Sequence, residues 1–161
     1  MRLAVSAIAL TALLVPAAVA QDFTNEPADG QILIEEWTVP YEESRPRDPF
    51  TADGETIWFV GQRSDYLASL NVETGEFEHV ALQEGDGPHN QIVGPDGMIW
   101  IAGNRAAHIA RYDAETGQFL RVDMPDGHPR DPHTLSFNND GSALWFTAQG
   151  ANTIGRLIPG D

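Results

Sequence analysis

Three tryptophans set the frame for this chain. Trp58, Trp100 and Trp145 recur 42 and 45 residues apart, each inside a short run of β-formers: Thr56–Val60, Met98–Ala102 and Ala143–Thr147. An Asp-Gly pair precedes each run, at Asp53-Gly54, Asp96-Gly97 and Asp140-Gly141. Asp-Gly is tight-turn chemistry, because glycine tolerates positive φ and aspartate bonds its own backbone. A second signature also repeats at 42 residues, Glu73-Thr-Gly-Glu-Phe77 and then Glu115-Thr-Gly-Gln-Phe119. Self-similarity at ~40–45 residues, with about four short strands per unit, is the pattern of a β-propeller. An ordinary β-sandwich would have to bring three independent signatures into step by coincidence.

Naming the strands of a blade A to D from axis to rim, the pattern predicts an all-β chain of twelve strands. Full A–D repeats fall at about 46–82 and 88–124, and an A–B–C repeat falls at about 132–158. Residues 31–39, rich in Ile and Val and ending at Pro40, read as an orphan outer strand. About three blades are present, and closed propellers need ~4–8. The expectation is therefore an incomplete propeller, the front part of a longer protein. The rival is a short chain that completes its ring by self-association, two copies giving six blades. The orphan strand and the three-stranded last blade are each expected to expose an unpaired edge, which is a template for another chain.

The first twenty residues read as a removable export signal. Arg2 precedes an apolar run from Leu3 to Val15, and Ala18-Val-Ala20 forms an A-x-A cleavage site. The run is shorter than the ~20 apolar residues of a membrane span. A mature chain from Gln21 (domain 21–161) in the periplasm or the medium is expected, with no membrane contact after the signal is removed. There is no cysteine, so neither disulfides nor thiolate metal sites can form. The formal net charge of −15 repels phosphate backbones and argues against a nucleic-acid partner.

In a propeller the A strands line the axial channel, and the loops before them open on its mouth. The repeats align Arg47, His89 and His133, each directly after a proline at the start of an A strand. Asp48, Asn90 and Thr134 follow them, and the B-strand ends contribute Gln62, Asn104 and Gln149. A basic or imidazole ring with amides, repeated around one axis, is a polar mouth for a small-molecule or protein ligand. Arg47, His89, Asn90, Asn104, His133 and Gln149 are the candidate ligand-binding residues. Histidines at strand starts also commonly bond loop carbonyls, and that structural role stays open for His89 and His133. His79, His108 and His128 are expected to be structural or solvated. The tryptophans are expected to pack between strands. No metal site is recognisable, and Asp53, Asp96 and Asp140 are expected to serve their turns.

The run Pro132-His-Thr-Leu135, the Asp140-Gly141 turn, Trp145-Phe-Thr147 and Gly150-Ala-Asn-Thr-Ile-Gly-Arg-Leu157 resembles the virginiamycin B lyase (streptogramin lyase) family. The resemblance extends over the chain after the signal and implies a seven-bladed propeller. It also implies a lyase that opens the ester of streptogramin B antibiotics by elimination, using magnesium, a histidine and a glutamate. The family's Pro-His type is matched by His89 and His133, which makes His133 the candidate base. The glutamate's place after the Trp-Phe-Thr strand is held by Ala148, with Gly103 and Gly61 as equivalents. The resemblance thus implies a lyase-like protein whose catalytic His/Glu pair and magnesium site lie outside this segment, which alone is expected to be inactive. Two other readings are a non-catalytic propeller binding at its channel mouth, and a lactonase-type propeller.

Overall fold

Eleven strands run through the described residues. They are β1 (Pro46–Phe50), β2 (Thr56–Gly61), β3 (Tyr66–Asn71), β4 (Phe77–Ala81), β5 (Pro88–Val93), β6 (Ile99–Gly103), β7 (His108–Tyr112), β8 (Phe119–Asp123), β9 (Pro132–Phe137), β10 (Leu144–Ala148) and β11 (Thr153–Leu157). The structure, a computed structural model, describes residues 34–125 and 131–160. The segment 1–20, expected to direct export, and residues 126–130, His128 among them, lie outside the described residues. Every pairing is antiparallel between neighbours in sequence, giving sheets β1-β2-β3-β4, β5-β6-β7-β8 and β9-β10-β11. These are three successive blades of an incomplete propeller, at the expected repeat boundaries.

The repeated signatures act as turns. Gly54, Gly97 and Gly141 follow their aspartates at φ between 72° and 82°, a region that favours glycine. Asp53 Oδ1 accepts from the backbone N–H groups of Glu55 and Thr56, at 2.8 and 2.9 Å. These bonds to the ionised form hold its carboxyl at about 2. The Glu-Thr-Gly turns are closed in the same way, with Asn71 and Asp113 accepting from the two following N–H groups.

The core lies between blades. Val60 and Leu67 of the first blade meet Ile99, Ile101, Ala110 and Tyr112 of the second. Trp100, Ala102 and Ile109 on the other face of the second blade meet Leu135, Leu144 and Phe146 of the third. Side chains alternate across a strand, so each sheet offers one face to the blade before it and one to the blade after. Three side chains, the buried Gln91 and Asn90 and the half-buried Asn104, fasten the blades where the strands are closest. Gln91 Nε2 donates to the carbonyls of Asp48, at 2.9 Å, and Trp58. Asn90 Oδ1 accepts from Leu135 N–H at 2.8 Å. Asn104 Nδ2 donates to the Pro132 carbonyl at 3.1 Å.

Two expectations need correction. The outer strand expected over 31–39 is absent over residues 34–39. An isolated strand has no stability without a partner for its backbone, and none pairs with this one. Val39 and Tyr41 pack instead on the free face of the first blade, against a cluster of Phe59, Tyr66, Ala68 and Leu70. Ile34 is 79% exposed. The second correction concerns the tryptophans. Trp58 and Trp100 face the following blade and pack, but Trp145 is 42% exposed. In β10, Leu144, Phe146 and Ala148 turn to the second blade, while Trp145 and Thr147 turn to the side where no sheet of this chain follows. Ile154, opposite Thr147 in the ladder, shares that side and is 74% exposed.

Candidate functional site

Each A strand is irregular at its mouth. Register shifts interrupt β1 between Arg47 and Phe50, β5 between Pro88 and Asn90, and β9 opposite Phe146–Ala148. A bulge adds a residue, bends the strand and re-aims its side chains, and such bulges gather at functional sites. Here the bulges fall at Arg47, His89 and Pro132-His133. Asp48 takes a left-handed backbone at φ 46°, which costs a non-glycine residue energy.

The irregular strands bring groups from three blades together. Asp48 Oδ2 of the first blade lies 3.1 Å from His89 Nδ1 of the second. The His89 ring lies over the His133 ring of the third blade, with centroids 3.3 Å apart and planes tilted by 37°. Arg47 Nη1 donates to Gln62 Oε1 at 3.2 Å, so the arginine is braced by the end of its own B strand. His133 Nδ1 lies 3.1 Å from Thr134 Oγ1. His133, Gln149 and Asn152 border an open recess of about 720 Å³ on the third blade.

The electrostatics of this row are unusual for histidine. Burial, then the neighbouring His133 and the Arg47 guanidinium, push the His89 imidazole down to about 4, against the pull of Asp48. At pH 7 His89 is therefore neutral. A proton on Nδ1 pointing to the Asp48 carboxylate leaves Nε2 as an acceptor.

The six residues singled out from sequence separate into two groups. His89 and His133 stack on one another, Arg47 is held by Gln62 on the first blade, and Gln149 stands exposed beside His133. The polar ends of Asn90 and Asn104 are engaged between the second and third blades. Asp48, which fixes His89, and Gln91, which holds the Asp48 carbonyl, complete the site. Neither stood out in sequence as a site residue, although Asp48 occupies the position after Arg47 in the repeat alignment. Among the described residues there is no group of three His, Asp or Glu side chains able to hold a metal ion. Around the row the single carboxylate in contact is Asp48, and the residue after the third B strand is Ala148. A magnesium ion favours several hard oxygen ligands, so the residues present do not fit it.

No family model matches the chain. No curated protein matches it either. Solved structures do. The chain is similar to a catalytically inactive virginiamycin B lyase from Staphylococcus aureus with quinupristin, at 27% identity and a TM-score of 0.69, over 81% of this chain and 43% of that one. A streptogramin B lyase structure matches at 27% identity and a TM-score of 0.68, over 77% of this chain and 41% of that one. A Pseudomonas aeruginosa periplasmic gluconolactonase shares the fold at 17% identity and a TM-score of 0.58, over 73% of this chain and 36% of that one. The chain is a partial propeller similar to the lyases and sharing the fold of the gluconolactonase, and it spans about two-fifths of the length of the lyases it matches.

Proposed function

We propose that this chain is part of an exported, streptogramin-lyase-like propeller, and that its three blades supply ligand-binding side chains at the channel mouth rather than the catalytic pair. The observation that carries this is the row Asp48–His89–His133, built across three blades by irregular strands and held in one protonation state. The resemblance in sequence and the similarity to lyase structures support the class of protein. The export signal supports the compartment.

The chemistry of the row is that of holding and orienting. Neutral His89 offers a fixed acceptor, Arg47 a guanidinium, and Gln149 an amide on the neighbouring B-strand end. These suit a ligand with peptide N–H and carbonyl groups, such as the streptogramin that a related lyase holds. Elimination needs a base on the proton next to a carbonyl and a charge to stabilise the enolate that forms. His133 is positioned as the nearest base. Its Nδ1 faces a hydroxyl rather than a carboxylate, and no acidic residue follows the B strands. Magnesium would supply enolate stabilisation in a complete enzyme. A propeller that binds at its mouth without turnover is the second reading, and for this segment both lead to the same behaviour.

The test is calorimetric titration of the mature chain with quinupristin, followed by mass analysis of the ligand. Saturable binding with the ligand recovered intact is expected, and His133→Ala should weaken binding at least tenfold. Absence of binding would overturn the binding role. Ring opening that disappears in His133→Ala would overturn the assignment of catalysis to other blades.

A further inference from the structure

Away from the channel mouth, a cavity of about 230 Å³ opens between the rim of the second blade and the end of β4. It is lined by Gln83 and Asp86 from the loop after β4, Ile101 from β6, His108 from β7, and Phe119 and Arg121 from β8. The 42-residue repeat places the corresponding positions of the first blade at Tyr41, Ser44, Phe59, Tyr66, Phe77 and His79. There the same space is full. The Tyr41 ring meets Tyr66 edge-on at 5.0 Å and His79 at 4.5 Å, above Phe59 and Phe77. The second blade keeps the frame: Phe119 repeats Phe77, and His108 closes over Gly103 as Tyr66 closes over Gly61. It replaces the plug, however, with Gln83 for Tyr41 and Ile101 for Phe59.

The emptied space is also more polar than its counterpart. Asp86 is 5% exposed and accepts from Arg121 Nη1 at 3.2 Å and from Gln83 N–H at 3.2 Å. His108 is 2% exposed, with Nε2 3.8 Å from Asp86 and with Nδ1 outside hydrogen-bond distance of any described partner. Burial holds its pKa below the ordinary value, so the ring is neutral at pH 7. Arg121 also bonds the exposed Asp123, outside the cavity, at 2.7 Å, which leaves the buried Asp86 as the one carboxylate of the lining.

We propose that this cavity is a binding site for a small, neutral, hydroxyl- or amino-bearing aromatic ring, seated where the first blade seats the phenol of its own Tyr41. The ring rests against Phe119 and the apolar floor, its donor faces Asp86 and His108, and the Arg121 guanidinium covers it. An aromatic carboxylate of similar size is disfavoured by the buried Asp86 carboxylate. The site is independent of the channel-mouth reading.

The probe is p-cresol, the tyrosine side chain as a free molecule, titrated into the full chain and followed by two-dimensional NMR. Saturable shifts are expected at His108, Ala110 and the Arg121 side chain, with benzoate at least tenfold weaker. Gln83→Tyr installs the first blade's own plug and should abolish the shifts while raising the thermal midpoint. Ile101→Phe, the second residue taken from the first blade, should weaken p-cresol binding in the same direction and serves if Gln83→Tyr does not fold. Absence of saturable shifts in the wild-type chain overturns the site. So do shifts that survive unchanged in the filled variants, or benzoate binding as tightly as p-cresol.

Discussion

Trp100 and Trp145 occupy the same position in successive repeats, and the structure predicts that they have different energetic weights. Trp100 is 3% exposed, packs edge-on against Phe137 at 5.6 Å, and donates from Nε1 to Asp96 at 3.3 Å. Its replacement by alanine removes a large buried ring and leaves a cavity between two blades, a change that costs about 3–5 kcal/mol. Trp145 is 42% exposed, and its open face meets only the Arg156 guanidinium, 5.7 Å from the ring centre. A tryptophan can bury ~150–250 Å². With 42% of the residue already in water, roughly 25 cal/mol per Å² on the remainder gives about 2–3.5 kcal/mol for Trp145→Ala. No closed cavity forms there, because the space joins solvent. The gap of roughly 1 kcal/mol corresponds to about 0.5 M in urea midpoint at an m-value near 2 kcal/mol/M. Urea unfolding at low micromolar protein, followed by far-UV circular dichroism, measures it. Trp100→Phe provides a milder companion if Trp100→Ala does not fold. Equal losses for Trp100→Ala and Trp145→Ala would refute the reasoning, since the face of the third blade would then be as fully packed as that of the second.

Further outcomes follow from the same geometry. His89 has a folded pKa of about 4, below the ordinary 6.5, so the unfolded chain takes up a proton that the folded chain refuses as pH falls. Its contribution to stability is therefore present above 6.5 and lost between about 6.5 and 4. NMR titration should show the His89 ring changing charge near pH 4, and a midpoint near 6.5 would contradict its burial beside Arg47 and His133. Gln91→Met keeps the volume but leaves the Asp48 and Trp58 carbonyls without their buried donor, at a cost of about 2 kcal/mol or more in thermal or urea unfolding. A loss under 0.5 kcal/mol would show that these carbonyls find other partners. Protein recovered from the cell envelope should begin at Gln21, and N-terminal mass analysis finding Met1 retained would contradict export.

The blades were legible because their turns use backbone conformations that few residues tolerate. Asp-Gly therefore recurs at the first reversal of each blade and Glu-Thr-Gly at the last reversal of the two four-stranded ones, and they mark each repeat. The Pro-His pairs at 88–89 and 132–133 marked, through the same repetition, the strand starts whose histidine rings meet across two blades. What sequence did not show depends on neighbours. The alternation in 32–39 looks like a strand, but over 34–39 it has no partner, and pairing decides strands more than propensity does. Trp145 reads like Trp58 and Trp100, yet its burial is set by the sheet that follows it. The contact from Asp48 to His89 passes between blades through two bulges, and a bulge leaves no fixed sequence mark. The exchange of Tyr41 for Gln83 was visible in the repeat alignment, but only the stacking on Tyr66 and His79 gives it meaning.

The channel-mouth reading meets its most direct test in the histidine ring signals of the mature chain as quinupristin is added. The Cε1–H resonances of His89 and His133 should shift together and saturate at one ligand per chain, with His79, on the outer strand β4, unmoved and the ligand recovered unchanged. Signals of His89 and His133 that stay in place while the ligand is in excess would contradict binding at the row.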